Sequence, residues 1–314
     1  MNAPNSLIDH RFLAVTGKGG VGKTLVAAGI ASAAAATGKR TLLCDIDASG
    51  DAARLFGEPL GITASGASPV GYEPVSVLPN LSLMQMELRP AIVDYLRTYA
   101  RLGFATTIGP LARTFEFVAK AAPGVSEVLS IGKLLDEVRN ENFDLVVMDG
   151  PASGHVVGLL RAPAAVGMLT GSGALGGQSK WMTKMLADPA QTGAVVVATP
   201  EELPVSEASD LIGELMSNVR VNVAGVVMNR LRGVSLPRSA AALLEQIQVE
   251  LDLPERLLLD ELRSATRLRG RESDLSGELV EAAPPGAAWH AISELGAEDG
   301  PMVEQMRLSL EAEW

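Results

Sequence analysis

Short apolar runs alternate with helical patterns along most of the chain. The runs of strand length lie at residues 12–16, 42–46, 81–86, 143–149, 194–199 and 222–228. Most of them are continuously apolar, which is typical of strands that are buried on both faces of a parallel sheet. Between them lie segments of helical periodicity such as Thr24–Thr37, which is followed by Gly38 at a position where helices end. This alternation predicts an α/β fold with a doubly wound, mostly parallel sheet.

Two segments depart from the simple alternation of strands and helices. Residues 57–80 are rich in Gly, Pro and Ser, and this composition predicts a loop. Residues 88–141 form a long, mostly helical insertion between two predicted strands, within a single domain of residues 1–314. Five of the twelve aromatic residues lie in this insertion, at Tyr95, Tyr99, Phe104, Phe115 and Phe117. They indicate either a small helical subdomain with its own apolar packing or an exposed surface that binds a partner.

The composition indicates a globular chain and argues against several classes of protein. Apolar residues make up 47% of the 314 residues, and a chain of this length can form a core without disulfides or structural metals. The 26 basic and 37 acidic side chains give a net charge of −11, which argues against binding nucleic acid or an anionic membrane surface. The N-terminus lacks the basic and apolar segments of a secretory signal, and Cys44 is the single cysteine. We therefore expect a cytoplasmic protein without direct membrane insertion.

The strongest chemical signal is a glycine-rich loop between the first predicted strand and the first predicted helix. It consists of Gly17, Lys18, Gly19, Gly20, Val21, Gly22, Lys23 and Thr24, and it matches the pattern G-x-x-x-x-G-K-[ST]. The glycines allow a tight turn that points backbone N–H groups at phosphate oxygens, and the following helix adds its positive end. Lys23 is placed to reach the β- and γ-phosphates, and Thr24 to bind Mg²⁺. The loop therefore predicts a nucleotide site with Mg²⁺.

Acidic residues end two of the predicted strands. Asp149 closes the run 143–149, where a protein with such a loop needs a carboxylate to hold Mg²⁺ through water. Asp45 and Asp47 end the second run, and the strand period of two places them on one face. The carboxyl ends of these strands are the expected position of the metal site.

Lys18 and the residues after Asp149 carry a family resemblance. The loop resembles the deviant Walker A motif, K-G-G-x-G-K-[ST], of the ParA, MinD and ArsA class of ATPases. Residues 149–155, D-G-P-A-S-G-H, resemble the switch II segment of the ArsA family, which includes arsenite-pump ATPases and tail-anchored-protein targeting ATPases. With the elements downstream, the resemblance spans most of the chain. It implies a P-loop NTPase fold of the SIMIBI type that binds ATP and Mg²⁺.

The resemblance also implies roles for single residues. Lys18 would reach across a dimer interface to the partner's nucleotide, in a homodimer or in a heterodimer with a related ATPase. Asp47 would position or activate the attacking water, and Asp45 would support Mg²⁺ or the loop. Gly154 would supply a backbone amide near the γ-phosphate, and Asn229 would contact the adenine edge. Residues 47–50 are D-A-S-G where family members often have D-P-A-H, a departure that concerns hydrolysis more than ATP binding.

Two apolar faces remain to be assigned. The helix pattern after residue 177 places Trp181, Met182, Met185 and Leu186 on one face. This face fits the core of the domain or, by resemblance, a mobile helix that covers an apolar client. Near the C-terminus an apolar stripe, flanked by acidic residues, is formed by Val303, Met306, Leu310 and Trp314. The acidic flanks favour packing on the body or on a partner over binding an anionic membrane.

Three functions follow from these observations. The first is an ArsA-type, Mg²⁺-dependent ATPase whose nucleotide-gated dimer couples to an apolar client or a protein partner. The second is a positioning ATPase like ParA or MinD, which needs a DNA or membrane surface and fits the acidic charge poorly. The third is a low-turnover, ATP-switched regulatory subunit of a heterodimer, which the departure at residues 47–50 keeps open.

Overall fold

The computed structural model describes residues 4, 6–57, 70–99, 124–170, 174–232, 238–247, 252–296 and 300–312. The strands in this part of the chain are β1 (Phe12–Gly17), β2 (Thr41–Asp45), β3 (Val75–Leu78), β4 (Leu81–Gln85), β5 (Leu145–Ala152), β6 (Thr192–Ala198), β7 (Val223–Leu231) and β8 (Ala288–Ser293). They form one eight-stranded sheet in the order β3-β4-β2-β5-β1-β6-β7-β8. Every neighbouring pair is parallel except β3 with β4. The strand β1 therefore lies inside the sheet, between β5 and β6.

Helices cover both faces of this sheet. They are α1 (Lys23–Ala36), α2 (Asp51–Leu55), α3 (Leu88–Tyr99), α4 (Val125–Arg139), α5 (Ser153–Thr170), α6 (Ala174–Leu186), α7 (Glu202–Glu214), α8 (Arg238–Gln246), α9 (Leu253–Ala282) and α10 (Met302–Glu311). A π-helical turn, Leu215–Val219, extends α7. One buried core joins the sheet to α1, α2 and α10, and the core on the other face joins it to α4, α5, α6 and α7. This arrangement confirms the predicted doubly wound, mostly parallel α/β fold.

The six strands predicted from apolar runs are all present, whereas the two outermost strands were missed. The edge strand β3 buries only Val77, and the opposite edge strand β8 buries only His290 and Ile292. An edge strand that is partly exposed does not need a continuous apolar run, so the pattern gives little signal for it. The prediction of a loop over residues 57–80 is wrong at Val75–Leu78. Residues 58–69 of that prediction lie outside the described residues.

The helical insertion is present as α3 and α4. Ile92 and Leu96 of α3 pack with Leu129 of α4 in a small separate cluster. The remaining buried face of α4, which includes Ile131 and Leu135, belongs to the main core of the sheet. The aromatic residues Phe104, Phe115 and Phe117, and the side chain of Tyr99, lie outside the described residues. The described half of the insertion therefore packs against itself and against the body.

The two remaining apolar faces also pack on the body. Met182, Met185 and Leu186 of α6 are buried in the core, and the Arg139 guanidinium lies 4.7 Å from the ring centre of Trp181. These contacts support core packing and not the alternative of a face that covers a client. Val303, Met306 and Leu310 of α10 are buried in the core that contains α1, whereas Trp314 lies outside the described residues.

The sequence predicts a protein without direct membrane insertion. None of these helices combines the length and the apolar character needed to cross a bilayer. The 30-residue helix α9, the longest of them, has only two buried residues, Glu272 and Leu279.

The contact between α1 and α10 gives a stability prediction. A Cβ at Gly29 of α1 would lie 2.4 Å from Cγ of Met306, so Gly29→Ala should overpack this contact and destabilise the protein by about 1–3 kcal/mol. Gly158→Ala is the matched control, because Gly158 is also helical and no atom lies within 4 Å of a Cβ there. It should be neutral or stabilise by up to about 1 kcal/mol. Chemical denaturation of both variants measures the difference, and equal stabilities would contradict the packing.

Candidate functional site

The glycine-rich loop lies at the carboxyl end of β1 and passes close to atoms of β6 and β7. Gly17 ends β1 with φ 151°, and a Cβ there would lie 2.1 Å from the carbonyl oxygen of Val197 on β6. Gly22 precedes α1 with φ 94°, and a Cβ there would lie 2.4 Å from Nδ2 of Asn229 on β7. Only glycine fits at both positions, so the neighbouring strands determine the path of the loop.

The two lysines of the loop point in different directions. Lys23 Nζ donates a hydrogen bond of 3.1 Å to the backbone carbonyl of Lys18. Burial lowers the pKa of Lys23, and the charges of Asp149 and Asp47 partly offset this effect. The side chain of Lys18 leaves the loop and forms an ion pair of 3.0 Å with Glu207 on α7. The Lys23 ammonium therefore lies inside the loop, whereas the Lys18 side chain lies on its outer side.

Two carboxylates lie at paired positions near the ends of neighbouring strands. Asp45 on β2 and Asp149 on β5 are paired in the parallel register. Asp149 is 6% exposed and accepts a hydrogen bond from the Thr24 hydroxyl, but its Oδ1 has no hydrogen-bond partner among the described residues. Burial raises the pKa of Asp149 to about 6, helped by the charges of Asp45 and Asp47 and opposed by Thr24 and Lys23. The site therefore concentrates negative charge that its own lysine offsets only in part.

The segment after β2 is attached to the first of these carboxylates. Asp45 Oδ2 accepts a hydrogen bond of 2.9 Å from the Gly50 amide and one of 3.2 Å from Ser49 Oγ. Asp47 is exposed and lines a cleft of about 300 Å³ together with Lys23 and Asp149. The structure thus brings the predicted residues of β2, β5 and the loop to one cleft. It also shows that Asp45 holds the segment that carries Asp47.

The residues present fit a Mg²⁺ ion that is bound together with phosphates. Among the described residues, no group of three or more His, Cys, Asp or Glu side chains converges on one point. Mg²⁺ beside phosphates needs only one or two carboxylates, since phosphate oxygens and water complete its shell. The buried, unpartnered Oδ1 of Asp149, next to the Thr24 hydroxyl, is the kind of ligand such an ion requires. Thr24, Asp149 and Asp45 are the candidates to hold it.

Asn229 touches the loop directly. Its side chain is 3% exposed, and its Nδ2 donates a hydrogen bond of 2.8 Å to the Val21 carbonyl. The amide therefore anchors the loop to the end of β7. The contact of Asn229 with adenine stays a prediction, because this hydrogen bond uses a donor of the amide and leaves the role of its oxygen open.

Arg230 is a candidate that sequence reasoning missed. It lines the cleft of about 300 Å³ and also a second cleft of about 190 Å³, which Lys18, Glu201 and Leu203 border on the other side of the loop. Its φ of 64° is in the left-handed region, which is unfavourable for a residue with a Cβ. The signal was available, since Arg230 is a charged residue that closely follows the apolar run 222–228, and it is the one exposed residue of β7.

The segment after Asp149 is joined to the start of the loop. Thr16 Oγ1 donates a hydrogen bond of 3.3 Å to the Pro151 carbonyl. The strand β5 continues to Ala152, and α5 begins at Ser153 without a separate linker. Gly154 therefore lies in the first turn of α5, where backbone N–H groups have no partner within the helix. The contact of its amide with the γ-phosphate, which the family resemblance implies, stays a prediction.

The part of the chain that contains this site is similar to known proteins. A family model described as anion-transporting ATPase matches residues 10–172, which include the loop and both acidic strand ends. The chain is similar to ATPase BagA of Mycobacterium tuberculosis, with 29% identity over 238 residues that cover 72% of this chain and 67% of that protein. It is also similar to ATPase get3 of Schizosaccharomyces japonicus, with 26% identity over 253 residues that cover 70% and 74% of the two chains.

The anchoring hydrogen bond of Asn229 gives a prediction about the loop. Asn229→Ala leaves the Val21 carbonyl without its donor, so the amides of residues 18–22 should exchange hydrogen faster. Asn142→Ala is the matched control, because the Asn142 amide also donates a hydrogen bond of 2.8 Å, to Glu137. Hydrogen exchange followed by mass spectrometry measures both variants without nucleotide. Equal exchange in the loop would contradict an anchoring role.

The raised pKa of Asp149 predicts how stability depends on pH in the metal-free protein. The carboxyl titrates near pH 6 in the folded chain and near 3.8 when unfolded, so its contribution to stability is lost as pH rises between these values. From pH 5 to pH 7.5 this loss should be about 1 kcal/mol. Unfolding free energies in a metal chelator should show this loss in the wild type relative to Asp149→Asn. A pH-independent difference between the two proteins would refute the raised pKa.

Proposed function

The chain belongs to the family of anion-transporting ATPases, and from this premise we propose that it binds Mg²⁺·ATP at the loop 17–24 and hydrolyses it. In this reaction the oxygen of a water molecule attacks the γ-phosphorus. The bond between that phosphorus and the β–γ bridging oxygen breaks, which gives ADP and inorganic phosphate. The names of the relatives, both ATPases, support this activity.

The observation that carries the proposal is the charge arrangement around the loop. Buried Asp149 has an oxygen without a hydrogen-bond partner in the described chain, and the Lys23 ammonium is held inside the loop. Phosphates bound to the loop amides bring negative charge to Lys23, and their Mg²⁺ would neutralise charge on the β- and γ-oxygens next to Thr24 and Asp149. The phosphates would thus offset the charge of Lys23, and Mg²⁺ would fill the ligand position at the unpartnered oxygen of Asp149.

Asp47 and Lys18 are the residues we propose for hydrolysis beyond binding. Asp47 is exposed in the phosphate cleft and can orient the attacking water, since phosphoryl transfer depends mainly on position and charge. The hydrogen bonds from Ser49 and Gly50 to Asp45 support its segment despite the departure from the family pattern at residues 47–50. Lys18 stabilises charge on the nucleotide of a second subunit. Asn229 and Arg230, at the end of β7, contact the nucleotide outside the phosphates.

The nucleotide-dependent dimer is proposed to act on an apolar client or a protein partner. Three described contacts link the nucleotide cleft to the body: Thr16 to Pro151, Asp45 to the segment 46–50, and Lys18 to α7. Since α5 begins two residues after Pro151 and packs against α4 and α6, a shift in this segment would reach the helical layer.

Two substitutions test binding and hydrolysis separately. Lys23→Ala should weaken ATP binding at least about tenfold, because a charge-assisted contact to the phosphates is lost. Asp47→Asn should keep ATP binding but lower kcat by at least about 100-fold, because the group that orients water is lost. Calorimetry measures affinity, and phosphate release measures turnover. The control is Lys180→Ala, which removes an exposed lysine on α6.

The outcomes separate the functions that the sequence left open. Unchanged ATP affinity in Lys23→Ala would remove the nucleotide site from this loop. Tight ATP binding without turnover in the wild type would favour the regulatory subunit of a heterodimer. ATP-dependent binding to DNA or to anionic vesicles would favour a positioning ATPase.

A further inference from the structure

Lys18 is held by its own subunit at both ends. Its backbone carbonyl accepts the hydrogen bond from Lys23, and its ammonium pairs with Glu207 Oε1 at 3.0 Å. Glu207 lies in the second turn of α7, a helix that follows β6 and is anchored by the buried residues Val205 and Ala208. The side chains of Lys18 and Glu207 are 27% and 37% exposed, so the pair is formed at the surface beside the loop.

This ion pair competes with the role proposed for Lys18. An ammonium that bridges to the phosphates of a second subunit cannot also remain 3.0 Å from Glu207 unless α7 moves with it. We propose that Glu207 is a positioning residue, which holds Lys18 within its own subunit until a second nucleotide-bound subunit competes for the lysine. The inference rests on the proposed function, because it needs Lys18 to act across a dimer interface.

Lys23 connects this exchange to the nucleotide. Its ammonium now lies on the Lys18 carbonyl, and the phosphates of ATP would draw it away toward their own oxygens. Residue 18 would then lose the hydrogen bond from Lys23 to its carbonyl and keep the ion pair of its ammonium with Glu207. Nucleotide binding alone does not free Lys18, because the ion pair with Glu207 breaks only when the partner subunit competes for the lysine.

The expected size of the effect follows from the exposure of the pair. A partly exposed ion pair stabilises its closed state by up to about fivefold in equilibrium constant. A symmetric dimer opens two such pairs, so their loss should favour the dimer by up to about 25-fold. The ion pair is therefore a weak restraint, which raises the dimer dissociation constant and does not prevent dimerisation.

The test is the dimer dissociation constant, measured by sedimentation velocity in Mg²⁺ with a slowly hydrolysed ATP analogue. Glu207→Gln keeps the shape of the side chain and removes its charge, and it should lower this constant by about threefold to 25-fold. Asp210→Asn is the matched control, because it removes an exposed negative charge from the same helix without touching Lys18. It should leave the constant within about twofold of the wild type. Analogue affinity at protein concentrations below dimerisation should be equal in all three proteins.

The double variant Lys18→Ala/Glu207→Gln decides whether Glu207 acts through Lys18. In the Lys18→Ala background the substitution at Glu207 should have no further effect, because no ammonium is left to hold. A gain that persists in this background, or a gain matched by Asp210→Asn, would show a general charge effect and overturn the proposal. A weakened dimer in Lys18→Ala with no gain in Glu207→Gln would also overturn it, while the proposed dimer would stand. An unchanged dimer in Lys18→Ala would overturn both.

Discussion

Two buried carboxylates at the ends of adjacent parallel strands are the constraint on which the site depends. Asp45 and Asp149 occupy paired positions of β2 and β5, where the strands bring them together and both residues are buried. One of them is compensated by the segment after β2, which donates two hydrogen bonds to Asp45. The other keeps an oxygen without a protein partner in the described chain, and its pKa is raised. The fold thus holds a charge that favours a cation and therefore a site for metal-bound phosphates.

The loop that faces these carboxylates is formed by the sheet as much as by its own sequence. Gly17 passes the carbonyl of Val197, and the Val21 carbonyl accepts its hydrogen bond from Asn229. The start of the loop is joined to the strand end beyond Asp149 through Thr16. Four strand ends therefore determine one short turn, and a displacement of any of them changes the position of the backbone amides. This connection is the physical basis for expecting that nucleotide state and helix position are coupled.

The sequence predicts the middle of the sheet better than its edges. Central strands such as β1 and β5 were predicted because burial on both faces requires continuous apolar residues. The edge strands β3 and β8 were missed because each buries few residues, and β3 lies in a segment whose composition is typical of loops. The face containing Met182 and Met185 had two interpretations, and only the packing of α6 against the sheet showed that it belongs to the core.

The sequence by itself determined the fold class, the family and the location of the cleft. These features can be predicted because the loop motif and the acidic residues at strand ends are patterns of neighbouring residues within short segments. Tertiary structure alone decided which of these groups contact each other. Asn229 bonds the loop, Lys18 pairs with Glu207 across 189 positions of sequence, and Arg230 borders both clefts. No local pattern specifies such contacts, because they depend on the order of the strands in the sheet and on which helix covers each strand end.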